Sequence, residues 1–152
     1  MPTVSAQIEV DAEPAAVEAL WYDLRRWPSF VDGFAHVAKE EGGWPAAGGK
    51  LVWDSTARGR GRVVERVSSQ DPGEGQAVEF EDPRMRGTQE VRFTPLADGT
   101  AVALQLDYRL KDANPLTPLV DLLFIRRSVR DSLRRTLTRF ARELDADADL
   151  LQ

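Results

Sequence analysis

The side chains with the most reactive chemistry in this chain are a glutamate, a tyrosine and an arginine set among apolar neighbours. Glu65 lies at the alternate position between Val63 and Val67. Tyr108 likewise follows Leu104 and Leu106 at alternate positions of a later segment. Alternate residues of a strand share one face, so both side chains are expected to point inward. Arg126 lies near the middle of an apolar stripe on a long predicted helix. Inside one cavity, these groups could move protons or stabilise enolate charge.

Arg126 is the most informative local anomaly, because an unpaired charge on a buried face is costly. It predicts an acceptor, which is either Glu65 or an anionic or carbonyl-bearing ligand. The alternative is that Arg126 lies near a cavity mouth and reaches water. For Glu65, Gln89 and Tyr108 the alternative is that each is a satisfied polar group lining a wet cavity.

Apolar side chains on the same inward faces would form the walls of a pocket or, equally, a packed core. Phe30 and Phe34 lie beside Gly33 on a predicted short helix near the open end of the sheet, which suits an entrance lid or a plain hydrophobic plug. The candidate ligand-binding residues are Phe30, Phe34, Trp53, Glu65, Phe80, Gln89, Leu106, Tyr108, Leu122 and Arg126.

Several kinds of chemistry find no support in the composition or motifs. The chain has no Cys and a single His, His36, so neither a metal site nor a cofactor is predicted, and His36 lacks a recognisable nucleophile motif. The segment 58–62, Arg-Gly-Arg-Gly-Arg, matches neither the dinucleotide nor the phosphate-loop pattern. Alternation would place its three arginines on one solvated strand face. Catalytic residues stay unknown at this point.

Bulk properties narrow the class of protein further. A length of 152 residues fits one domain, here taken as residues 1–152. The net charge of -5 argues against a nucleic-acid partner, since phosphate binding favours a positive field. No signal peptide or transmembrane segment is evident, so a cytoplasmic protein is expected.

The elements that must position the candidate residues follow from hydrophobic periodicity. A strand over Val4–Val10 precedes a helix from Pro14 to Trp27 and a second helix over Pro28–Phe34. A long helix then begins at Asn114-Pro115 or Thr117-Pro118 and reaches Leu144, with a frayed tail over 145–149. Between them lie six predicted strands: Val37–Glu41, Lys50–Ala57, Arg60–Ser68, Ala77–Glu81, Arg86–Pro95 and Thr100–Leu110.

Hairpin-length links between these strands require antiparallel pairing. A sheet of that size with few helices buries its apolar face by curling around the long helix. The predicted fold class is therefore α+β, with a curved antiparallel sheet of about seven strands wrapped around a long C-terminal helix and two short helices after the first strand.

The predicted long helix carries two kinds of apolar surface. One stripe faces the sheet and contains Leu119, Leu122, Val129, Leu133, Leu137, Phe140 and Leu144. Near the helix start, Val120, Phe124 and Ile125 lie off this stripe, which indicates burial on a second side. A homodimer contact or an entrance that touches a membrane would explain it, and the homodimer is favoured.

Three segments resemble a known family over essentially the whole chain. They are residues 8–12 (Ile-Glu-Val-Asp-Ala) followed by Pro14, residues 26–30 (Arg-Trp-Pro-Ser-Phe), and residues 133–137 (Leu-Arg-Arg-Thr-Leu) with Phe140 beyond. They are similar to the opening strand, the Trp-Pro between short helices and the closing helix of the START/SRPBCC superfamily, which includes polyketide cyclases and birch-pollen-allergen-like proteins. The resemblance implies the helix-grip fold.

The resemblance implies a class of function, but this chain carries no catalytic motif of any family member. Its members bind lipids, sterols, polyketides, quinones or plant hormones, and some are enzymes. The leading expectation is binding or transport of a small hydrophobic ligand between sheet and helix. The first alternative is a polyketide aromatase/cyclase in which Glu65, Tyr108 or Arg126 handles protons or enolate charge. The second is a homodimeric interaction protein with a vestigial pocket.

Overall fold

Seven antiparallel strands form one curved sheet in the computed structural model, which describes residues 1–112 and 114–152. The strands are β1 (Thr3–Val10), β2 (Phe34–Glu41), β3 (Lys50–Ser55), β4 (Arg62–Asp71), β5 (Gly75–Glu81), β6 (Met85–Leu96) and β7 (Gly99–Leu110). Their order across the sheet is β1-β7-β6-β5-β4-β3-β2. Strands β2 to β7 therefore form a meander, and β1 adds to the outer edge of β7. The predicted antiparallel sheet of about seven strands is confirmed.

Strand β7 is the best-defined element of the sheet. It pairs with β1 on one side and with β6 on the other, without a register shift in either ladder. Two regular ladders fix which side chains point inward, since a slip of one residue would turn them all outward. Leu104, Leu106 and Tyr108 are accordingly buried against the helical layer, as the alternation predicts.

The helices after β1 are shorter than predicted. Helix α1 spans Pro14–Trp21, a 3₁₀ turn spans Leu24–Arg26, and α2 spans Trp27–Phe30. Asp23 ends the first helix early, because its carboxylate accepts from the backbone N–H of Arg25 at 3.2 Å and so caps a new turn. Pro28 then occupies the first turn of α2. Backbone N–H groups have no acceptor within the helix at this position, so the missing N–H of proline costs no hydrogen bond.

Phe34 is not helical, contrary to the prediction that the second helix reaches it. Gly33 adopts φ 74° after α2, a conformation that side-chain-bearing residues rarely adopt. The carbonyl of Gly33 accepts from the backbone N–H of Thr56 at 2.8 Å. The chain therefore turns at Gly33, and Phe34 becomes the first residue of β2.

The C-terminal helix runs from α3 (Thr117–Val120) through a π-helical turn (Asp121–Ile125) into α4 (Arg126–Leu150). It continues beyond Leu144, and the predicted frayed tail is wrong. Arg26 holds this end of the helix, donating to Glu143 at 2.6 Å and to Asp147 at 3.0 Å. Of the two predicted starts, Thr117-Pro118 is the observed one.

The π-helical turn changes which residues face the sheet. Leu122 is 58% exposed, whereas the adjacent Asp121 is only 4% exposed. A π turn is wider than an α turn, so residues before it and at its start rotate away from the stripe that the α-helical period defines. The placement of Leu119 and Leu122 on the inward stripe is therefore wrong. After the turn the stripe is correct, and Leu133, Leu137, Phe140 and Leu144 are buried.

Phe140 is the centre of the contact between α4 and the short helices. Its ring lies 5.3 Å from that of Trp21 and 5.1 Å from that of Phe30, both edge-to-face. The Trp27 indole donates to the carbonyl of Trp21 at 2.8 Å, which fixes α2 against α1. These contacts hold α4 over the inner face of the sheet. Among the described residues, no helix has the length and apolar character that crossing a bilayer requires.

Candidate functional site

A narrow cleft of about 70 Å³ lies between the sheet and α4. A wider cleft of about 340 Å³ adjoins it at the surface, and we call the two the inner cleft and the mouth. The inner cleft is lined by Trp21, Trp27, Val31, Asp32, Trp53, Arg60, Glu65, Gln76, Val78, Gln89, Val91, Leu104, Ser132, Leu133 and Thr136. Both clefts share Asp32, Arg60, Gln89, Ser132 and Leu133. Apolar and aromatic side chains thus make up about half of the lining of the inner cleft, and polar or charged side chains make up the rest.

Glu65 on β4 reaches the inner cleft, as the alternation predicts. Its Oε2 accepts a hydrogen bond from the Trp53 indole nitrogen at 2.5 Å. Burial raises the pKa of Glu65, and this effect is opposed by the Trp53 hydrogen bond and the charge of Arg60. A carboxyl whose pKa is raised can donate or accept a proton nearer to neutral pH than an exposed glutamate.

Arg60 lies at the junction of the inner cleft and the mouth. Its Nε donates to Asp82 at 2.9 Å, and its guanidinium carbon lies 4.9 Å from the Phe80 ring centroid and 5.8 Å from that of Trp53. The charge is thus held over two aromatic rings, an arrangement that stabilises a partly desolvated cation. Its Nη2 is buried and has no hydrogen-bond partner among the described residues.

The prediction that Arg60 lies on a solvated strand face is wrong. Strand β4 begins at Arg62, and Gly61 adopts φ 77°, so the alternation does not extend back to Arg60. The two glycines that flank Arg60 in the sequence indicate this position, since glycine favours a turn over a strand.

Asp82 holds Arg60 and is itself held by the backbone. It is 4% exposed, and its Oδ1 accepts from the backbone N–H groups of Arg84 and Met85 at 2.8 and 2.9 Å. Its Oδ2 remains for Arg60. The turn between β5 and β6 is therefore built around the carboxylate that orients the Arg60 side chain.

Asp32 ties the turn after α2 to the C-terminal helix at the cleft wall. Its carboxylate accepts from Ser132 at 2.7 Å, from Arg135 at 3.0 Å by two nitrogens, and from Arg139 at 3.2 Å. Its backbone N–H donates to the Thr136 hydroxyl at 3.0 Å. Burial alone would raise the pKa of Asp32, but the hydrogen bonds from Arg135 and Ser132 and the arginine charges outweigh it, so the pKa is lowered.

Tyr108 and Arg126 belong to a separate cluster and do not line either cleft. The Tyr108 hydroxyl donates to Asp121, and Arg126 Nη2 lies 3.1 Å from the other oxygen of the same carboxylate. Arg126 thus pairs with Asp121 and not with Glu65, because the π-helical turn buries Asp121 beside it. Burial raises the pKa of Tyr108 to about 12, with the Asp121 hydrogen bond and charge acting in the same direction and Arg126 against them.

The other predicted residues divide into cleft and core. Gln89 lines both clefts, and Leu106 lines the mouth. Phe30 packs on Phe140, and the Phe34 ring lies 5.4 Å from that of Trp53, so both belong to the core and not to a lid. The structure thus places Trp53, Glu65, Gln89 and Leu106 in the clefts and Phe80 against Arg60, and it leaves Phe30, Phe34, Tyr108, Leu122 and Arg126 outside the two clefts.

The start of the C-terminal helix carries a second distinctive surface. Its exposed apolar residues are Leu116, Leu119, Val120, Leu122, Leu123 and Phe124, which we call the apolar patch. Ile125, which follows directly, lines the mouth. No group of three or more side chains suited to holding a metal ion occurs within residues 1–112 and 114–152.

An antiparallel sheet curved around a long C-terminal helix, with short helices after the first strand and a cleft between the layers, defines the helix-grip fold. The family described as polyketide cyclase / dehydrase and lipid transport matches residues 1–145, and the chain belongs to this family. The fold is thus that of a ligand-binding family. None of the curated proteins matches the sequence.

Solved structures share the same fold at low sequence identity. Protein TTHA0849 from Thermus thermophilus is 22% identical with a TM-score of 0.70, and the match covers 96% of this chain and 99% of that chain. A START superfamily protein from Mycobacterium smegmatis is 18% identical with a TM-score of 0.67, covering 99% of both chains. Protein SA2116 of unknown function from Staphylococcus aureus is 12% identical with a TM-score of 0.73, covering 97% of both chains.

Proposed function

We propose that the chain binds or transports a small hydrophobic molecule of lipid, polyketide or quinone type between the sheet and α4. The observation that carries this proposal is that Arg60, Glu65 and Gln89 line the inner cleft beside apolar and aromatic side chains, and that Arg60 and Gln89 also line the mouth. Ligand sites of this kind combine apolar surface with a few oriented polar groups that fix the ligand's position.

The sizes of the two clefts give the ligand an orientation. The inner cleft, at about 70 Å³, has room for only a few heavy atoms. The mouth, at about 340 Å³, has Leu106, Leu110 and Val129 in its wall and can hold a larger apolar body. The polar end of the ligand therefore enters toward Glu65, and its apolar part lies in the mouth.

Ligand-dependent thermal stabilisation tests this proposal. A ligand at 100 times its Kd stabilises the folded state by about 2.7 kcal/mol. The panel consists of medium-chain lipids, quinones and aromatic polyketides, together with native mass spectrometry for co-purified molecules. Leu133 lines both clefts from α4, so Leu133→Trp should fill the cleft and abolish the shift.

Leu123→Trp is the matched control, because Leu123 is an exposed leucine of the apolar patch that lines neither cleft. It should retain the full ligand-dependent shift. Absence of any stabilising compound in the panel, combined with no co-purified molecule, would contradict ligand binding by this chain.

A second candidate is an enzyme of the polyketide aromatase/cyclase type. The raised pKa of Glu65 favours it, since a buried carboxyl in a cleft can act as a general acid or base on a bound poly-carbonyl chain. Tyr108 and Arg126 line neither the inner cleft nor the mouth, and both line a separate surface cleft with Asp121. Glu65 is therefore the residue on which this candidate depends.

Turnover of a poly-β-carbonyl substrate separates the enzyme from the binder. Glu65→Gln keeps an acceptor for the Trp53 indole but cannot transfer a proton, so it should abolish turnover and preserve binding. Glu79→Gln, on the exposed face of β5, should change neither turnover nor binding. Equal rates for wild type and Glu65→Gln would eliminate proton transfer by Glu65.

A third candidate function is interaction with a second copy of the chain, which does not depend on the clefts. The apolar patch exposes six aliphatic or aromatic side chains, which is unusual for a surface that contacts only water. Pairing of two copies through this patch would cover it. Sedimentation of the wild-type protein and of Phe124→Glu tests the homodimer.

A further inference from the structure

The Arg60 side chain has a hydrogen-bond donor that the protein leaves unused. Nε is taken by Asp82, whereas Nη2 is buried without a partner among the described residues. A buried donor without an acceptor costs free energy, which an incoming acceptor recovers. Because Arg60 lines both clefts, a ligand that passes from the mouth to the inner cleft meets this guanidinium.

We propose that the ligand carries a carboxylate, which binds the free donor side of the Arg60 guanidinium next to Glu65. The inference rests on the binding role proposed above and names the chemical class of its ligand. A guanidinium prefers a carboxylate to a neutral carbonyl, because both partners are charged and two parallel hydrogen bonds can form.

The charge distribution of the clefts favours an anion. Besides Arg60, the arginines that line the mouth are Arg58, Arg84 and Arg135. Four arginines thus face three carboxyl groups in the two clefts together.

The carboxyl groups are mostly engaged. Asp32 and Asp82 are each hydrogen-bonded to arginine, while the Glu65 carboxylate accepts from the Trp53 indole. A positive field at the mouth attracts an anionic ligand before contact.

Glu65 gives the binding reaction a pH dependence of definite sign. A ligand carboxylate placed beside Glu65 disfavours a second negative charge there and so raises the pKa of Glu65 further. Binding is then accompanied by proton uptake, and affinity rises as the pH falls through the Glu65 pKa. The other charged groups that face this site are Asp32, Arg58, Asp82, Arg84 and Arg135, and the clefts contain no histidine.

Isothermal titration of charged and neutral ligand pairs tests the inference. Suitable pairs are octanoate with octanol and 2-naphthoate with 2-naphthalenemethanol, which differ only in the polar end. The carboxylate should bind the wild-type protein about 10 to 100 times more tightly than its neutral partner, the range expected for a hydrogen bond to a charged group. Titration over a series of pH values, each in two buffers of different ionisation enthalpy, should show net proton uptake with the carboxylates only, in the pH range where Glu65 titrates.

Two variants locate the effect. Arg60→Lys keeps a cation for Asp82 but loses the planar fork, so it should lose about tenfold in carboxylate affinity and leave the neutral ligands unchanged. Arg62→Lys is the matched control, because Arg62 pairs with Asp54 on the exposed face, and it should bind like wild type. Glu65→Gln should bind carboxylates at least as tightly as wild type, without proton uptake.

The outcomes separate this inference from the binding role on which it rests. Neutral partners that bind as tightly as the carboxylates would refute the inference and leave ligand binding intact. Carboxylate binding without proton uptake at any pH of the series would also refute it, and this measurement needs only the wild-type protein. If none of the four compounds binds while other members of the larger panel do, the carboxylate class is wrong; if nothing in either set binds, the binding role fails as well.

Discussion

The Asp32 carboxylate makes the densest set of contacts between the α2–β2 turn and α4, so its neutralisation should loosen the cleft wall. Asp32→Asn keeps the shape of the side chain but removes its charge. The amide keeps one acceptor oxygen and replaces the other by a donor, whereas both oxygens of the carboxylate accept, from Ser132, Arg135 and Arg139. The bond from the Asp32 backbone N–H to Thr136 does not depend on the side chain and should persist.

The size of the effect follows from the exposure of the partners. Asp32 is 19% exposed, while Arg135 and Arg139 are 51% and 43% exposed. Hydrogen bonds to charged groups contribute about 1.5–3 kcal/mol when shielded, and exposed ion pairs contribute about 0.2–1 kcal/mol. Partly solvated arginines lie nearer the lower range, so the variant should lose about 2 kcal/mol of the free energy of unfolding at neutral pH.

Urea denaturation at a series of pH values measures both the loss and its cause. The pKa of Asp32 is lowered in the folded state, so the charge stabilises the fold above the unfolded-state pKa of about 4. This contribution disappears as the pH falls through the folded-state pKa. The difference between wild type and Asp32→Asn should therefore be constant at neutral pH and shrink toward zero in acid.

Asp23→Asn is the control, because the amide keeps the cap on the backbone N–H of Arg25 and loses only an ion pair at the surface. Its partner Arg25 is 90% exposed, so the variant should lose less than about 0.5 kcal/mol. A loss for Asp32→Asn that is no larger than this control, or that does not change with pH, would refute the view that the Asp32 charge fastens the turn to α4.

Three further predictions concern the core, the separate polar cluster and the apolar patch. Phe140→Ala should cost about 3–5 kcal/mol in denaturant unfolding, since the ring is fully buried, and a loss below about 1 kcal/mol would contradict its central position. Asp121→Asn should lower the pKa of Tyr108 from about 12 toward but not to its ordinary value, because burial is the larger cause and remains; an unchanged phenol titration at 295 nm would contradict the contact. For the homodimer, wild type should sediment as a dimer and Phe124→Glu as a monomer, and a monomeric wild type would dismiss it.

The sheet could be predicted from sequence because its ladders are regular where the alternation is clear. Leu106 and Tyr108 face inward in a strand paired on both sides, and Glu65 follows the phase of its neighbouring valines. Local pattern and long-range pairing agree at these positions, and so the inward face of the site was predictable.

The residues that were placed wrongly lie where the chain departs from the regular period of a helix or a strand. Leu122 was misplaced because a π-helical turn rotates the helix start, and nothing in a 3.6-residue period signals that turn. Arg60 was misplaced because the chain bends at Gly61, which brings the guanidinium to Asp82. The partner of Arg126 proved to be Asp121, five positions earlier, and not a residue of the sheet.

The pairing of β1 with β7 also determines when this fold can be completed. Thr3 contacts Asp107, 104 positions later, whereas the other strand pairs are neighbours in sequence. Closing so long a loop has a larger entropic cost than forming a hairpin, so the meander from β2 to β7 can assemble before β1 joins it. During synthesis β1 must therefore wait for β7, and Val4, Ala6 and Ile8 lack their partners until Val102, Leu104 and Leu106 have left the ribosome.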